Sequence, residues 1–477
     1  MKKYDLVIIG GGVGGLVTSV GASQMGASVA LIDKASLGGD CLHHGCVPTK
    51  RLVHSAKIAS LVRRGEEFGL EGEPLRVNFG KVMAQMRKVQ DTIAVNDDPE
   101  RFRKMGINVI FGSGQFIDSH TFEVNGEKIR GRKFLIATGS SPVILPIPGL
   151  KEAGALTNVT ALKLEKLPES IAILGAGPIG MEFAQVFHRL GSKVTVIEKM
   201  GQILPREDEE LSNKLEEILA KEGMEIVTCT EVKEVKVERS KKIIAASCPT
   251  GDKTFTVDEV MIAIGRAPNV DGLNLEAAGV EYDRRKGIKI DETLRTTAKN
   301  IYSCGDVAGP YAFTHTAEYQ AGLVISNALF PLVNRKADYR VVPWVTYTDP
   351  ELGRVGLTED EAKDKYGESN ISVYRFHFSD VDRAIIEGEG QGMIKLICDK
   401  KNRLIGAHLL GPHAGELLHE YVLAMKAKLP ITTISQTIHV YPTLSQAVKR
   451  ACDQYYKEKL FTGWFPKVAR WLIKLGT

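Results

Sequence analysis

Two glycine-rich turns, each entered from a short apolar run, restrict this chain more than any other feature. Leu6-Val-Ile-Ile9 leads into Gly10-Gly-Gly12-Val-Gly-Gly15, and Ile171-Ala-Ile-Leu174 leads into Gly175-Ala-Gly177-Pro-Ile-Gly180. A buried strand that ends in Gly-x-Gly-x-x-Gly and opens a helix is suited to a dinucleotide. The first glycine permits the tight turn, the second lets a pyrophosphate approach the backbone, and the third lets the helix pack on the strand. One such pattern is weak, but two in successive stretches predict an α/β protein with two Rossmann-like units. Acids fall where each unit needs them: Asp33 closes Val29-Ala-Leu-Ile32, and Glu198 follows Val194-Thr-Val-Ile197. A carboxylate there binds a ribose hydroxyl pair and repels a 2′-phosphate, so Glu198 predicts NAD(H) over NADP(H), with Lys199 as a countervailing cation. Each acid also has a plainer reading as a solvated strand-end group.

Between the two turns lies Gly38-Gly39-Asp40-Cys41-Leu42-His43-His44-Gly45-Cys46-Val47-Pro48-Thr49-Lys50. Residues five apart on an ideal helix are too distant for a disulfide, which needs Cα atoms within about 7 Å. Cys41 must therefore precede a helix or sit in a distorted first turn, which Gly45 makes accessible. A thiol at a helix N-terminus is the more reactive thiolate. The spacing predicts a redox pair; a zinc pair or an inert core pair are the other readings. His43 and His44 lie too close to the cysteines to complete a tetrahedral site easily, so no metal is expected. Cys229, Cys248, Cys304, Cys398 and Cys452 have no partner spacing and read as ordinary core or surface residues.

At 477 residues the chain exceeds one core. Residues 1–150 read as the first nucleotide unit with the cysteine segment inserted. Residues 151–275 repeat the plan and close on Val260-Met-Ile-Ala-Ile-Gly265-Arg266. Residues 276–340 contain Ile301-Tyr-Ser-Cys-Gly305-Asp306, a strand ending in a Gly-Asp turn that completes the first unit. Residues 341–452 alternate strand and helix patterns, as in a separate α+β domain, and 453–477 form a tail. No apolar run reaches the roughly 20 residues that span a bilayer, and the odd cysteine count is unlike a secreted framework. A cytoplasmic protein is expected. No basic stripe with interleaved aromatics suggests nucleic acid.

These motifs and their order resemble the class I pyridine nucleotide-disulfide oxidoreductases, a family that includes dihydrolipoamide dehydrogenase and mercuric reductase. The resemblance spans about residues 4–452. It implies an FAD site built from Gly10, Gly12, Gly15, Asp33, Gly39, Thr138-Gly139 and Asp306, with Asp306 on the ribityl chain. It implies a nicotinamide site at Gly175, Gly177, Gly180, Glu198 and Gly265, and a dimerisation domain from Val342-Pro343 onward, hence a homodimer. Carried over by position, Cys46 is the thiol against the flavin and Cys41 the thiol that meets a disulfide or dithiol substrate. Lys50 is similar to the lysine near flavin N5, and Glu182 to its ion-pair partner. Such a cation favours the anionic reduced flavin, and the carboxylate keeps it oriented.

Departures from the family bear on substrate. Dithiol-handling members carry a histidine before Pro-Thr near the C-terminus and a glutamate five residues later. Here the segment is His439-Val-Tyr441-Pro-Thr-Leu-Ser-Gln446. Acid–base help of that kind is worth roughly 10²–10⁴ in rate, so lipoamide turnover should be slow unless another group substitutes. His439 would share a face with Tyr441 if the stretch is extended; His43, His44 and Tyr441 itself are the other candidates. Mercuric reductase ends in a vicinal cysteine pair, whereas Cys452 stands alone. Asp40 replaces the usual threonine beside the first cysteine, an anion the sequence does not explain.

The tail holds five basic residues and one acid between Lys457 and Thr477, the whole of the net charge of +4. Phe461, Trp464, Phe465, Val468, Trp471, Leu472 and Leu475 fall at helical spacing, which predicts an amphipathic helix over about 466–475. A helix that short needs a surface. Its own dimer is one; a partner protein or an anionic membrane is another, which would make the protein a docked redox component passing electrons to a quinone or protein at the inner membrane face. A flavin-bound relative without turnover is disfavoured by the complete cysteine pair.

Overall fold

The protein, described here by a computed structural model over residues 1–461 and 465–475, is built around three main sheets, with a three-stranded antiparallel sheet and two short ribbons besides. In the first, the parallel core runs Ile107–Phe111, Val29–Asp33, Lys2–Ile9, Glu127–Ile136, and Thr121–Val124 and Gly114–Asp118 extend it in antiparallel fashion. Ile301–Ser303 pairs in parallel with Phe134–Ile136, so a strand far along the chain completes this sheet. The strands are apolar on both faces because helices cover one face and Phe116, Phe122 and the segment from Val270 to Ala308 cover the other. Leu6, Val7, Ile8, Ala30 and Leu31 are fully buried, the near-continuous apolar texture of a parallel sheet.

The second sheet is four parallel strands in the order Glu225–Val227, Lys193–Ile197, Ser170–Leu174, Glu259–Ile262. Outside these layers, Arg266–Pro268 pairs with Ser140–Pro142 in a two-stranded ribbon, where the chain leaves and re-enters the first unit. The third sheet is wholly antiparallel: Pro343–Thr346, Glu351–Gly356, Leu404–Gly411, Met393–Asp399, Ile371–His377. Helices Ala414–Ala427 and Ser445–Phe461 pack on it, burying Leu418, Tyr421, Val448 and Ala451 with Ile394, Leu396 and Leu409.

A final helix, Phe465–Leu475, agrees with the expected amphipathic segment to within a residue. Trp464, which the sequence reading included, lies outside the described residues. No helix among the described residues is long and apolar enough to cross a membrane.

Candidate functional site

The two fingerprints have the same geometry, and it separates what the fold requires from what a ligand requires. A Cβ at Gly10 would sit 2.2 Å from the Ala137 carbonyl oxygen, and one at Gly175 2.6 Å from that of Ala263. A Cβ at Gly15 would sit 1.9 Å from the Gly10 oxygen, and one at Gly180 2.0 Å from the Gly175 oxygen. These four glycines let strand, turn and helix touch. At Gly12 and Gly177 the nearest atoms would be 3.8 and 4.0 Å away, so protein packing does not demand glycine there. Both residues stand at a helix N-terminus with no side-chain cap, Gly12 before Val13–Gln24 and Gly177 before Pro178–Leu190. Bare backbone at the positive end of a helix suits a pyrophosphate, and the residues present fit FAD at the first turn and a pyridine dinucleotide at the second.

The strand-end acids brace the same turns. Asp33 Oδ2 accepts from the Gly11 amide at 2.7 Å, and its Oδ1 accepts from Ala35 and Ser36. Glu198 is buried; Oε2 accepts from the Ala176 amide at 2.7 Å and Oε1 from Met200 at 2.8 Å. Lys199 points elsewhere, onto Glu231 at 2.7 Å. Thr138 donates to the Asn269 carbonyl, and Gly139 and Gly265 are in left-handed conformations at the ends of the paired ribbon. Asp306 Oδ2 accepts from the Ser140 hydroxyl at 2.7 Å.

The cysteine segment is docked against the first fingerprint by a glycine-on-glycine contact. A Cβ at Gly39, where φ is +61°, would lie 2.6 Å from the Gly12 Cα. From there Gly39–His43 forms one short helical turn, the chain breaks at His44-Gly45, and the redox helix Cys46–Arg63 begins. Cys41 thus lies on the short turn and Cys46 is the first residue of the long helix, the distorted arrangement the spacing required. Gly45 permits the break: a side chain there would press to 3.0 Å from the Asp40 carbonyl and 3.2 Å from the Cys41 Cα.

The two thiols differ sharply. Hydrogen bonding from Cys41 draws the Cys46 thiol down to about 6; burial opposes this, while Thr314 and the Lys50 ammonium add to it. Thr314 Oγ1 is 3.6 Å from Cys46 Sγ, at the start of helix Thr314–Leu329. The same contact with Cys46, together with burial, pushes Cys41 far above the ordinary thiol range. Beneath them Lys50 Nζ donates to Glu182 Oε2 at 2.7 Å and lies 4.7 Å from the centre of the Tyr347 ring. Burial disfavours the Lys50 charge, but Glu182 and Cys46 outweigh it and hold the lysine above its usual value. Glu182 Oε1 accepts from the Tyr347 amide at 3.0 Å, so its carboxylate is fixed from two sides.

Asp40 has a partner that the sequence did not reveal. Its Oδ2 is 3.0 Å from Arg266 Nη2, and its Oδ1 lies 3.7 Å from His44 Nδ1. Arg266 also donates to the Ser140 hydroxyl and carbonyl, and Ser140 donates to Asp306. The anion beside Cys41 is therefore neutralised by a cation on the paired ribbon. Arg266, directly after the turn residue Gly265, was the available signal; Thr314 and Tyr347 had none.

At the C-terminal turn the geometry differs from the expected shared face of His439 and Tyr441. Residues 437–444 are irregular rather than extended, and the two side chains diverge. The imidazole of His439 is only 6% exposed. Its Nε2 donates to Glu420 at 3.1 Å, and its Nδ1 faces the Thr437 carbonyl at 2.9 Å. Tyr441 is 65% exposed, beside the open apolar side chains of Ile438 and Val440, and the nearby Asp382 carboxylate makes its hydroxyl less acidic. Gln446 donates to the His439 and Val440 carbonyls and braces the turn. His43 is held by Ser36 and the Leu37 carbonyl. His44 stays nearer the cysteines, where burial depresses its basicity.

Known proteins share this architecture throughout. Residues 4–321 match the pyridine nucleotide-disulphide oxidoreductase family, and residues 342–452 match its dimerisation domain. A mercuric reductase from Lysinibacillus sphaericus is 33% identical over 457 residues, which is 96% of this chain and 83% of that protein. A dihydrolipoyl dehydrogenase from Bacillus subtilis (strain 168) is 34% identical over 465 residues, 94% of this chain and 97% of that one. The copper(II) complex of RclA, an HOCl-induced flavoprotein disulfide reductase from Escherichia coli, superposes with a TM-score of 0.86 at 30% identity, covering 95% of this chain and 100% of the other. This chain belongs to the pyridine nucleotide-disulphide oxidoreductase family, as an FAD-dependent homodimeric enzyme that moves electrons between a pyridine nucleotide and a disulfide.

Proposed function

We propose that the enzyme uses NADH to open a Cys41–Cys46 disulfide, and that the dithiol then reduces an oxidised sulfur acceptor whose departing thiol is acidic, in preference to turning over lipoamide. One observation carries this reading: Tyr441 stands where a histidine is expected, and His439 is turned inward onto Glu420. An alkyl dithiol must lose its proton before attack, and an alkyl thiolate leaves slowly unless protonated, whereas an acidic thiol leaves unaided. NADH and one proton yield NAD+ and the dithiol; re-forming the Cys41–Cys46 bond converts the acceptor disulfide into two thiols. Bound FAD supplies the two-electron link between nicotinamide and Cys46.

In this reading the depressed Cys46 thiol faces the flavin, and Cys41 attacks the acceptor as its proton passes to the Cys46 thiolate to which it is hydrogen-bonded. Lys50, oriented by Glu182, neutralises charge that develops beside Cys46. Gly10, Gly12, Gly15, Asp33, Gly39, Thr138, Gly139 and Asp306 hold FAD, and Gly175, Gly177, Gly180, Glu198 and Gly265 hold the nicotinamide cofactor. The braced Glu198 and the diversion of Lys199 to Glu231 favour NADH over NADPH. Tyr441, exposed beside Ile438 and Val440, meets the partner subunit's cysteines. Scattered unpaired thiols favour the cytoplasm, with the tail as the element that would bring the enzyme to its inner boundary.

A thiophilic metal ion is the second acceptor class, favoured by the relatives named mercuric reductase and by the copper(II) complex of RclA. The burial of Cys452 weighs against a hand-over thiol at the C-terminus. Anaerobic stopped-flow mixing with dihydrolipoamide tests the main reading. Slow flavin reduction, with rapid reduction by NADH and rapid steady-state turnover of an aromatic disulfide, is expected. Fast reduction by dihydrolipoamide sinks it. Turnover of copper(II) or mercuric ion without turnover of any disulfide selects the metal reading.

A further inference from the structure

The tail helix Phe465–Leu475 lies beyond the end of the dimerisation-domain match at residue 452 and is unlike the rest of the chain in charge. It contains three basic residues and no acid. At 100° per residue, Lys467, Arg470 and Lys474 fall within an arc of about 60°. Val468, Trp471, Leu472 and Leu475 occupy an adjoining arc of about 100°. All four of these apolar side chains are exposed, Trp471 to 60% and Leu475 to 64%. The helix touches the preceding one, Ser445–Phe461, without covering that face.

We propose that this helix docks the enzyme on an anionic lipid bilayer, lying in the plane of the surface with its apolar arc among the acyl chains. Three features select this occupant. Cations flank the apolar arc on one side, and Ala469 and the exposed Ile473 extend it on the other, so every charge on the helix is positive, as on interfacial helices that bind acidic lipid. Trp471 lies at the junction of the two arcs, where an indole would sit at headgroup depth. A second copy of the helix would instead bring two cationic stripes side by side, which is repulsive. One such helix binds marginally, but a homodimer presents two, and the second binds at the high effective concentration set by the first. The assignment stands apart from the choice of electron acceptor.

The test is co-sedimentation of the full-length flavoprotein dimer with vesicles of equal parts phosphatidylglycerol and phosphatidylcholine, and with vesicles of phosphatidylcholine alone. Binding only to the anionic vesicles, lost as salt rises, is expected. Deleting residues 462–477 should abolish it and leave flavin reduction by NADH unchanged. The double variant Lys467→Gln/Arg470→Gln should weaken partition about thirtyfold for each helix engaged. No binding to anionic vesicles, binding that survives the deletion, or equal binding to both vesicle types overturns the proposal. So does a shift of the deleted protein from dimer to monomer on gel filtration, which would assign the helix to the subunit seam.

Discussion

Lys50 Nζ and Glu182 Oε2 meet at 2.7 Å and join the redox helix to the helix of the second fingerprint. The carboxylate is nearly buried while the ammonium is about a third exposed, so the pair is neither a surface bridge nor a fully desolvated one. Removing the carboxylate leaves a partly buried ammonium without its counter-ion, a loss that solvent screens in part. Glu182→Gln should lower thermal stability by about 1–3 kcal/mol. It should also slow disulfide opening by NADH by roughly one to two orders of magnitude, an effect of the size expected when a preorganised charge is lost. Glu182→Asp should recover part of the rate. Unchanged kinetics in the glutamine variant would show that the pair serves the fold alone.

The Cys46 thiol is drawn down to about 6 by its bond with Cys41, with Thr314 and Lys50 contributing. Its anionic form therefore predominates above that pH in the two-electron-reduced enzyme. Long-wavelength absorbance from the thiolate should grow as pH rises through about 6 and be fully developed at pH 8. Thr314→Val should move the midpoint upward. A midpoint near the ordinary thiol value in the unmodified enzyme would contradict the geometry.

Asp40 offsets the Arg266 charge beside Cys41. With Asp40→Thr, the cation remains tied to Ser140 but loses its counter-ion, so the thiols of the reduced enzyme sit in a more positive field. Alkylation of Cys41 by iodoacetamide should accelerate several-fold, and the double variant Asp40→Thr/Arg266→Ala should return toward the original rate. The pair is partly exposed, so stability should change by less than about 1 kcal/mol. Equal rates in all the variants would show that the two charges do not act on the cysteine.

Glu198 is held by two backbone amides at the second fingerprint. The enzyme should therefore show a higher kcat/KM with NADH than with NADPH. Glu198→Gln keeps an acceptor for one of those amides but removes the charge that repels a 2′-phosphate, and should narrow the ratio by about tenfold, a typical effect of one charge contact. A native preference for NADPH would refute the assignment.

Tyr441→His with Gln446→Glu would restore an acid–base pair at the C-terminal turn. Dihydrolipoamide oxidation should rise by roughly 10². If it does not, the low rate has a cause other than the missing imidazole.

The parts of the site that were readable in sequence are those fixed by local backbone geometry. Gly15 is demanded by its contact with Gly10 inside one strand–turn–helix unit, and Gly10 by its positive φ at the turn, so their spacing alone reports them. The break at Gly45 follows equally from the five-residue separation of two thiols that must meet. Lys50 and Glu182 were placed only by resemblance, since their approach depends on how two separate helices cross. Arg266, Thr314, Tyr347 and Glu420 escaped because each acts on a residue distant in the chain, and no periodicity encodes such a meeting. His439 shows the converse error of assuming a regular strand: an irregular turn let Glu420 pull the ring inward, away from Tyr441.

The Tyr347 amide that fixes Glu182 lies just past Pro343–Thr346, the first strand of the C-terminal domain, long after both fingerprints have been synthesised. A nascent chain can thus fold both nucleotide units and present its cysteines while the carboxylate under Lys50 is still loosely held. The counter-ion of Lys50 reaches its final position only once translation has passed that strand, so the floor beneath the cysteines is among the last parts of the molecule to set.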